Sequence, residues 1–388
     1  MPFNSGWGTH SSMWNNIIGQ TAVIEKLKSI FASNKKGHAY LFEGGDGVGK
    51  DAAAIEFAKL INCTDLVNGN EACDKCESCR KISEFRSEYF KLICALPAPK
   101  SDDSDADPVE KLSSSDFDEY LDQFALKSED PYHHINLPGA NNIRINSIRD
   151  LVSKIYLSAP KGITKVYIIS EADKMKQEAS NSLLKILEEP PKNSLIILTT
   201  SKVNSLPQTI IGRCQRIHFE PLREKDILDK IIGQYDYPEK QVKLASRLSF
   251  GSYSRTIDLL ALGIEDLRSQ AIEFLVSILK GDYAQVIAIC RNISAKNDKD
   301  KTRQFLFFLN IWIRDLLRVK SAGKAEPEML TNFDLAERLD KLNANFPESD
   351  IFNIIIELEE AEKLIGQNVQ LTLILVNLSM RLKELFKK

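Results

Sequence analysis

Two short apolar runs, residues 166–169 and 195–198, flank a segment whose apolar positions recur at helical spacing. Continuous runs of this length suit strands buried on both faces, and strands alternating with helices predict a parallel sheet covered by helices, an α/β fold. A third run, residues 39–42, leads into a glycine-rich turn and then Ala52, Ala53 and Ala54, which are strong helix formers. NSLLKILEEPP reads as an amphipathic helix ended by Pro190 and Pro191. Before it, a short strand at Ile143 precedes a helix carrying Ile148, Leu151, Val152 and Ile155 on one face, with Asn146 or Ser147 as the expected cap. An adaptor helix with Ile24, Leu27 and Ile30 is expected after Trp14. From Pro221 the pattern is helical to the end, and Leu371, Ile374, Leu375, Leu378, Leu382 and Leu385 form one apolar stripe, read as the core of a C-terminal domain.

Composition adds bounds. A chain of 388 residues predicts two or three domains, and 43% hydrophobic with 27% charged residues is ordinary for a soluble globular protein. The net charge of -3 supplies no global attraction to nucleic acid. No apolar run approaches the roughly 18 residues of a membrane span, and the N-terminus has no signal-peptide apolar region, so the expectation is a cytoplasmic protein with no membrane partner. Residues 1–12 are small, polar and patternless and are read as a leader or tag. Residues 95–142, with Asp102, Asp103, Asp105 and Asp107 among serines, are read as an acidic insertion, a solvated loop in part disordered. His133 and His134 lie in it without a carboxylate or cysteine at ligand spacing and are read as loop residues.

Two stretches carry chemistry. Gly44, Gly45, Asp46, Gly47, Val48, Gly49 and Lys50 meet the spacing G-x-x-x-x-G-K between a strand and a helix, the context of a P-loop. Glycines let backbone N–H groups curl round phosphate oxygens, and Lys50 is expected to reach the terminal phosphates. Position 51, however, is Asp51, where a magnesium-binding loop carries Ser or Thr; an acidic residue there also suits the first turn of a helix. The second stretch is Cys63 with CDKCESC, whose Cys73, Cys76 and Cys79 complete four soft ligands, a set that suits a closed structural zinc site. Four unmetallated thiols are the alternative. A zinc-dependent nucleic-acid module would want aromatic and basic residues around the cluster, which are lacking.

Taken in order, HAYLFEGGDGVGK, the four-cysteine module, KVYIISEADKM, NSLLKILEEPP and Gly212-Arg213-Cys214 resemble the bacterial DNA polymerase III clamp-loader subunits, the gamma/tau and delta-prime family of AAA+ proteins. The resemblance covers roughly residues 14–94 and 143–220 closely and the remainder by helical pattern alone. It implies an AAA+ P-loop domain at 13–220, with its zinc module at 63–79 and the 95–142 insertion outside the family pattern. A helical lid at 221–264 and an all-α collar at 265–388 would follow, without a long tail beyond them.

In the family's ATPase the P-loop ends in Ser or Thr and the acidic strand ends in Asp-Glu, together holding magnesium. Asp51 and Ser170 take those places here, leaving Glu171 as a vestigial base and Thr200 at the sensor position. Ser254 falls where a lid arginine is expected, with Arg255 one residue late, about 100° round a helix. Magnesium is therefore not expected, and ATP binding is expected to be weak at most. Arg213 keeps the place of an arginine finger acting in trans on a neighbour's nucleotide. The resemblance thus implies a delta-prime-like stator with gamma/tau and delta in a five-membered ring, loading the sliding clamp onto primed DNA. The alternative is an active gamma/tau-like ATPase in which Asp51 or Asp173 recovers the metal.

Overall fold

The computed structural model describes residues 13–33, 37–98, 107–367 and 369–386; the leader at 1–12 and the acidic run at 99–106 lie outside the described residues. The chain divides into two compact units, residues 1–237 with 250–255, and residues 238–249 with 256–388.

In the first unit, α1 (Thr21–Ala32) precedes β1 (Ala39–Gly44), α2 (Lys50–Asn62), α3 (Glu77–Ser83) and β2 (Phe90–Ile93). Then come α4 (Ser114–Glu129), α5 (Ile145–Ile155), β3 (Lys165–Ile169), α6 (Gln177–Glu188), β4 (Ser194–Thr200), α7 (Gln208–Ile211), β5 (Gln215–Phe219) and α8 (Glu224–Ile232). The strands form one parallel sheet in the order β2-β3-β4-β1-β5. Side chains alternate between faces along a strand. Leu41, Tyr167, Ile169, Ile196 and Leu198 therefore join Ile148, Leu151 and Ile155 of α5 and Leu183 and Ile186 of α6 in one core cluster. On α2, Phe57 sets its ring edge-on to Tyr40 of β1 at 6.1 Å. Both faces are thus covered, which is why β3 and β4 read as unbroken apolar runs.

Three features depart from the sequence reading. The helix α5 starts at Ile145, so Asn146 and Ser147 lie inside it, and its N-cap Arg144 makes no side-chain cap bond; Ile143 forms only an isolated bridge to Met175. The edge strand β2 was not expected, since Lys91 interrupts its short apolar run. From Asp107 onward the insertion is in part a helix docked on the sheet domain, with loop from residue 130. It holds α4, capped by the Ser113 hydroxyl accepting from the Asp116 N–H, and it docks Phe124 edge-on against Phe85 at 5.1 Å. Asp107 joins Lys91 at 3.0 Å and Lys154 at 2.8 Å, tying the insertion to β2 and α5.

The second unit is helical: α9 (Glu239–Leu248), α10 (Tyr253–Leu262, whose first turn belongs to the first unit), α11 (Ile264–Lys280), α12 (Tyr283–Ile293), α13 (Lys299–Ala322), α14 (Ala336–Asn345), α15 (Ile351–Ile365) and α16 (Leu371–Leu385). The expected stripe on α16 buries Leu371, Ile374, Leu375, Leu378 and Leu382. Asp315, fully buried on α13, is satisfied by the N–H groups of Thr331 and Asn332, the Asn332 amide and Arg318. A buried carboxylate left without such donors would be costly to the fold.

Candidate nucleotide site and cysteine cluster

The glycine-rich turn lies at the carboxyl end of β1, where ligands of parallel sheets bind. Gly49 caps α2 with φ 99°, a conformation that L side chains rarely adopt. Lys50 does not extend into solvent: it is 8% exposed and its ammonium donates to the carbonyls of Gly44, at 2.9 Å, and of Gly45. Burial pulls its pKa down, against the pull of Asp46, Asp51, Asp173 and Glu171. Val48 is buried, and its carbonyl accepts from Gln20 at 3.2 Å.

Asp51 and Ser170 are brought together. The Ser170 hydroxyl donates to Asp51 Oδ2 at 2.7 Å, Thr199 Oγ1 donates to Oδ1 at 2.7 Å, and the Lys127 ammonium stands 3.5 Å from Oδ2. Burial opposes the Asp51 charge, but Lys127 and the two hydroxyls outweigh it and hold the carboxyl below its ordinary value. Thr200 faces the other way along β4 and donates to Asp173 Oδ1 at 2.6 Å. The β4 hydroxyl that reaches Asp51 is thus that of Thr199, one position before the one singled out in the sequence.

Glu171 sits in the left-handed region at φ 52° and is held by Lys174 at 2.8 Å and His134 at 3.3 Å. Its carboxyl is opposed by burial yet held low by these two cations, and the bond to Glu171 raises His134. His134 is therefore no free loop residue; its carboxylate lies far away in sequence. Ser254 donates to the carbonyl of Tyr132 at 2.8 Å. Arg213 follows α7 and is 36% exposed, with its guanidinium on Glu188 at 2.7 Å and on the carbonyl of Thr209 at 2.8 Å.

The four predicted cysteines do converge. Cys63, Cys73, Cys76 and Cys79 place their Sγ atoms all within 4.8 Å of one another, against an edge of about 3.8 Å for four thiolates around a tetrahedral ion with ~2.3 Å bonds. Backbone N–H groups point at the sulfurs, Cys73 N to Cys63 Sγ at 3.3 Å and Cys76 N to Cys73 Sγ at 3.2 Å. Burial opposes ionisation of Cys76, but the N–H groups of Thr64 and Cys79 and its neighbours' side chains bring it down to about 6. The donor set fits a metal ion such as zinc. Asp74, between two of the ligands, pairs with the buried Lys59 at 2.8 Å and ties the module to α2.

Comparison with known proteins decides the kinship. The family described as "DNA polymerase III, delta subunit" matches residues 19–223, more than half of the chain. The chain belongs to this family. It is 27% identical over 368 residues to DNA polymerase III subunit delta' of Bacillus subtilis, covering 94% of this chain and 96% of that one. It is also 27% identical over 366 residues to subunit tau of the same organism, covering 88% of this chain but 56% of the relative, so it spans little more than half of that protein's length. A gamma subunit-related protein from Thermotoga maritima superposes with a TM-score of 0.44 at 16% identity, over 94% of this chain and 99% of that one. The resemblance to the gamma/tau and delta-prime family read from the sequence is borne out. Among the described residues no helix is long and apolar enough to cross a membrane.

The sequence reading gave no role in the site to Lys127, Tyr132, His134 or Thr199. A carboxylate at the first turn of a helix bordering a sheet demands donors, and that demand was the only signal in the sequence that partners for Asp51 existed.

Proposed function

We propose that this chain is a delta-prime-like stator of the DNA polymerase III clamp loader, helping to load the sliding clamp onto primed DNA without hydrolysing ATP itself. The observation that carries the reading is the state of Asp51. Its carboxylate takes two hydroxyl donors and faces an ammonium, so the place where a Ser or Thr would ligate magnesium is filled by an anion already satisfied within the protein. Phosphoryl transfer depends on a cation that neutralises phosphate charge, and Glu171 adds little without one. Asp173, the residue through which an active ATPase could recover the metal, is engaged by Thr200.

Arg213 acts in trans, on nucleotide held by a neighbouring gamma/tau subunit. Its partial exposure supports this, and its bond to Glu188 is a resting contact between groups at least a third exposed, easily exchanged for a phosphate. The cysteine cluster holds a structural zinc. Residues 221–264 serve as a lid and 265–388 as the collar that joins gamma/tau and delta in a five-membered ring. Phe352 and Ile356, one turn apart on α15, and Leu373 and Met380 on α16 remain exposed and support a role of that unit in assembly.

The test is MgATP turnover by the isolated chain and by the loader reconstituted with it. Turnover in the reconstituted loader and none in the isolated chain is expected; robust hydrolysis by the isolated chain would return the assignment to a gamma/tau-like ATPase.

A further inference from the structure

The insertion at 95–142, which the sequence reading sets outside the family pattern, reaches the P-loop through its described residues. Four contacts made within eight residues place it there. Lys127, 3% exposed, donates to the His133 carbonyl at 2.7 Å and faces Asp51 at 3.5 Å. The Tyr132 hydroxyl accepts from the Ile18 N–H at 2.8 Å, and a Cβ built on Gly49 would stand only 2.5 Å from that hydroxyl. The Tyr132 carbonyl takes the hydroxyl of Ser254, and His134 holds Glu171.

We propose that residues 127–134 are the resident occupant of this site, an intramolecular plug standing where a nucleoside triphosphate and its cation would otherwise bind. Lys127 supplies the positive charge beside residue 51, and Tyr132 covers the last glycine of the loop, whose N–H groups would have to face phosphate oxygens. His134 and Ser254 fasten the plug on two further sides. Lys50 is turned onto its own loop's carbonyls, those of Gly44 and Gly45. The inference rests on the reading of a site without its own hydrolysis but goes beyond it. Loss of the metal ligands alone would leave an open P-loop able to hold nucleotide weakly, whereas a plug closes it.

The experiment titrates the full-length chain with ribose-labelled fluorescent MgADP up to millimolar concentration. Asp51→Thr with Ser170→Asp restores the metal ligands and leaves residues 127–134 unaltered, giving up the Lys127 contact to residue 51 but keeping those of Tyr132 and His134. Adding Lys127→Met and Tyr132→Phe, which keep packing volume, loosens the plug. The restored chain with an intact plug should show no saturable binding at 1 mM, roughly, and the loosened restored chain should bind at least about tenfold tighter than that limit. Equal binding with and without the two plug substitutions overturns the plug while leaving the degenerate-site reading in place. Magnesium-dependent binding by the unaltered chain overturns both. A loosened restored chain that melts cooperatively yet binds nothing also overturns it, because something other than the segment then excludes nucleotide. Hydrogen exchange on the unaltered chain gives a readout that needs no variant: the amides of Ile18, Tyr132 and His133, each hydrogen-bonded, should exchange as slowly as β1, and exchange within seconds would overturn a resident plug.

Discussion

The Ser170 hydroxyl donates to Asp51 Oδ2 across 2.7 Å, so the two positions that the resemblance assigns to a magnesium ion bind each other instead. The two departures are therefore one compensated change. Ser170→Asp alone sets a second carboxylate against the first, and two such groups in one partly buried site resist joint ionisation. It should destabilise the first unit by about 2 kcal/mol. Adding Asp51→Ser should recover most of that loss. Melting temperatures measured in the order wild type, double variant, Ser170→Asp would bear this out; additive losses would dissolve the coupling.

Arg213 meets Glu188 on the surface rather than in a buried network. Such pairs contribute little, so Arg213→Ala should change stability by less than about 0.5 kcal/mol. In the reconstituted loader the same substitution should slow ATP turnover at the neighbouring subunit's site by about a thousandfold, the low end of what an arginine finger supplies, and lower total turnover by that site's share. Arg213→Lys should restore little of it, because an ammonium lacks the planar fork. Unchanged loader turnover with Arg213→Ala would remove the finger.

The sheet and the P-loop were legible because β1, β3 and β4 are buried on both faces and because glycines at 44, 47 and 49 all adopt positive φ. The cysteine cluster was legible for a local reason, since three of its four ligands fall within seven residues, Cys73 to Cys79. The occupants of the nucleotide site were not. Lys127 and Asp51 are 76 residues apart and Ser170 and Asp51 119 apart, and no periodicity encodes such meetings. Composition misled as well: the acidic run at 99–106 marked the whole insertion as solvent-loving, while Phe124, Lys127 and Tyr132 farther along are buried.

Metal removal offers a separate check. Four converging sulfurs, with N–H groups aimed at them, predict about one zinc per chain in protein purified under reducing conditions. Because ligand thiols must lose their protons to bind, zinc should be released on acidification, and Cys79→Ser should abolish stoichiometric binding. Asp74 and Lys59 link the module to α2, so the loss should also lower the melting temperature of the first unit by about 5 °C. Metal analysis together with a melting curve reads both effects. Protein that carries no metal and melts at the same temperature with and without chelator would leave four free thiols.

The His134–Glu171 pair makes the clasp on the acidic residue dependent on pH. The bond to Glu171 raises His134 above its ordinary 6.5, so its contribution to stability is fully present below 6.5 and is lost as pH rises through the raised value. Glu171, opposed by burial but held below 4.5 by His134 and Lys174, contributes above 4.5 and loses its contribution as pH falls through its lowered value. The pair is thus strongest between about 4.5 and 6.5, where both groups are charged whether folded or not. Lys174 bears on both sides of it, repelling the imidazolium while holding the same carboxylate, and Asp51 attracts the imidazolium from farther off. His134→Gln should therefore lower the melting temperature most inside this window and progressively less above it, as the imidazole of the parent chain becomes neutral. Melting curves of parent and variant across pH 4 to 9, roughly, make the comparison. A constant offset at every pH would mean that His134 acts by packing rather than by charge.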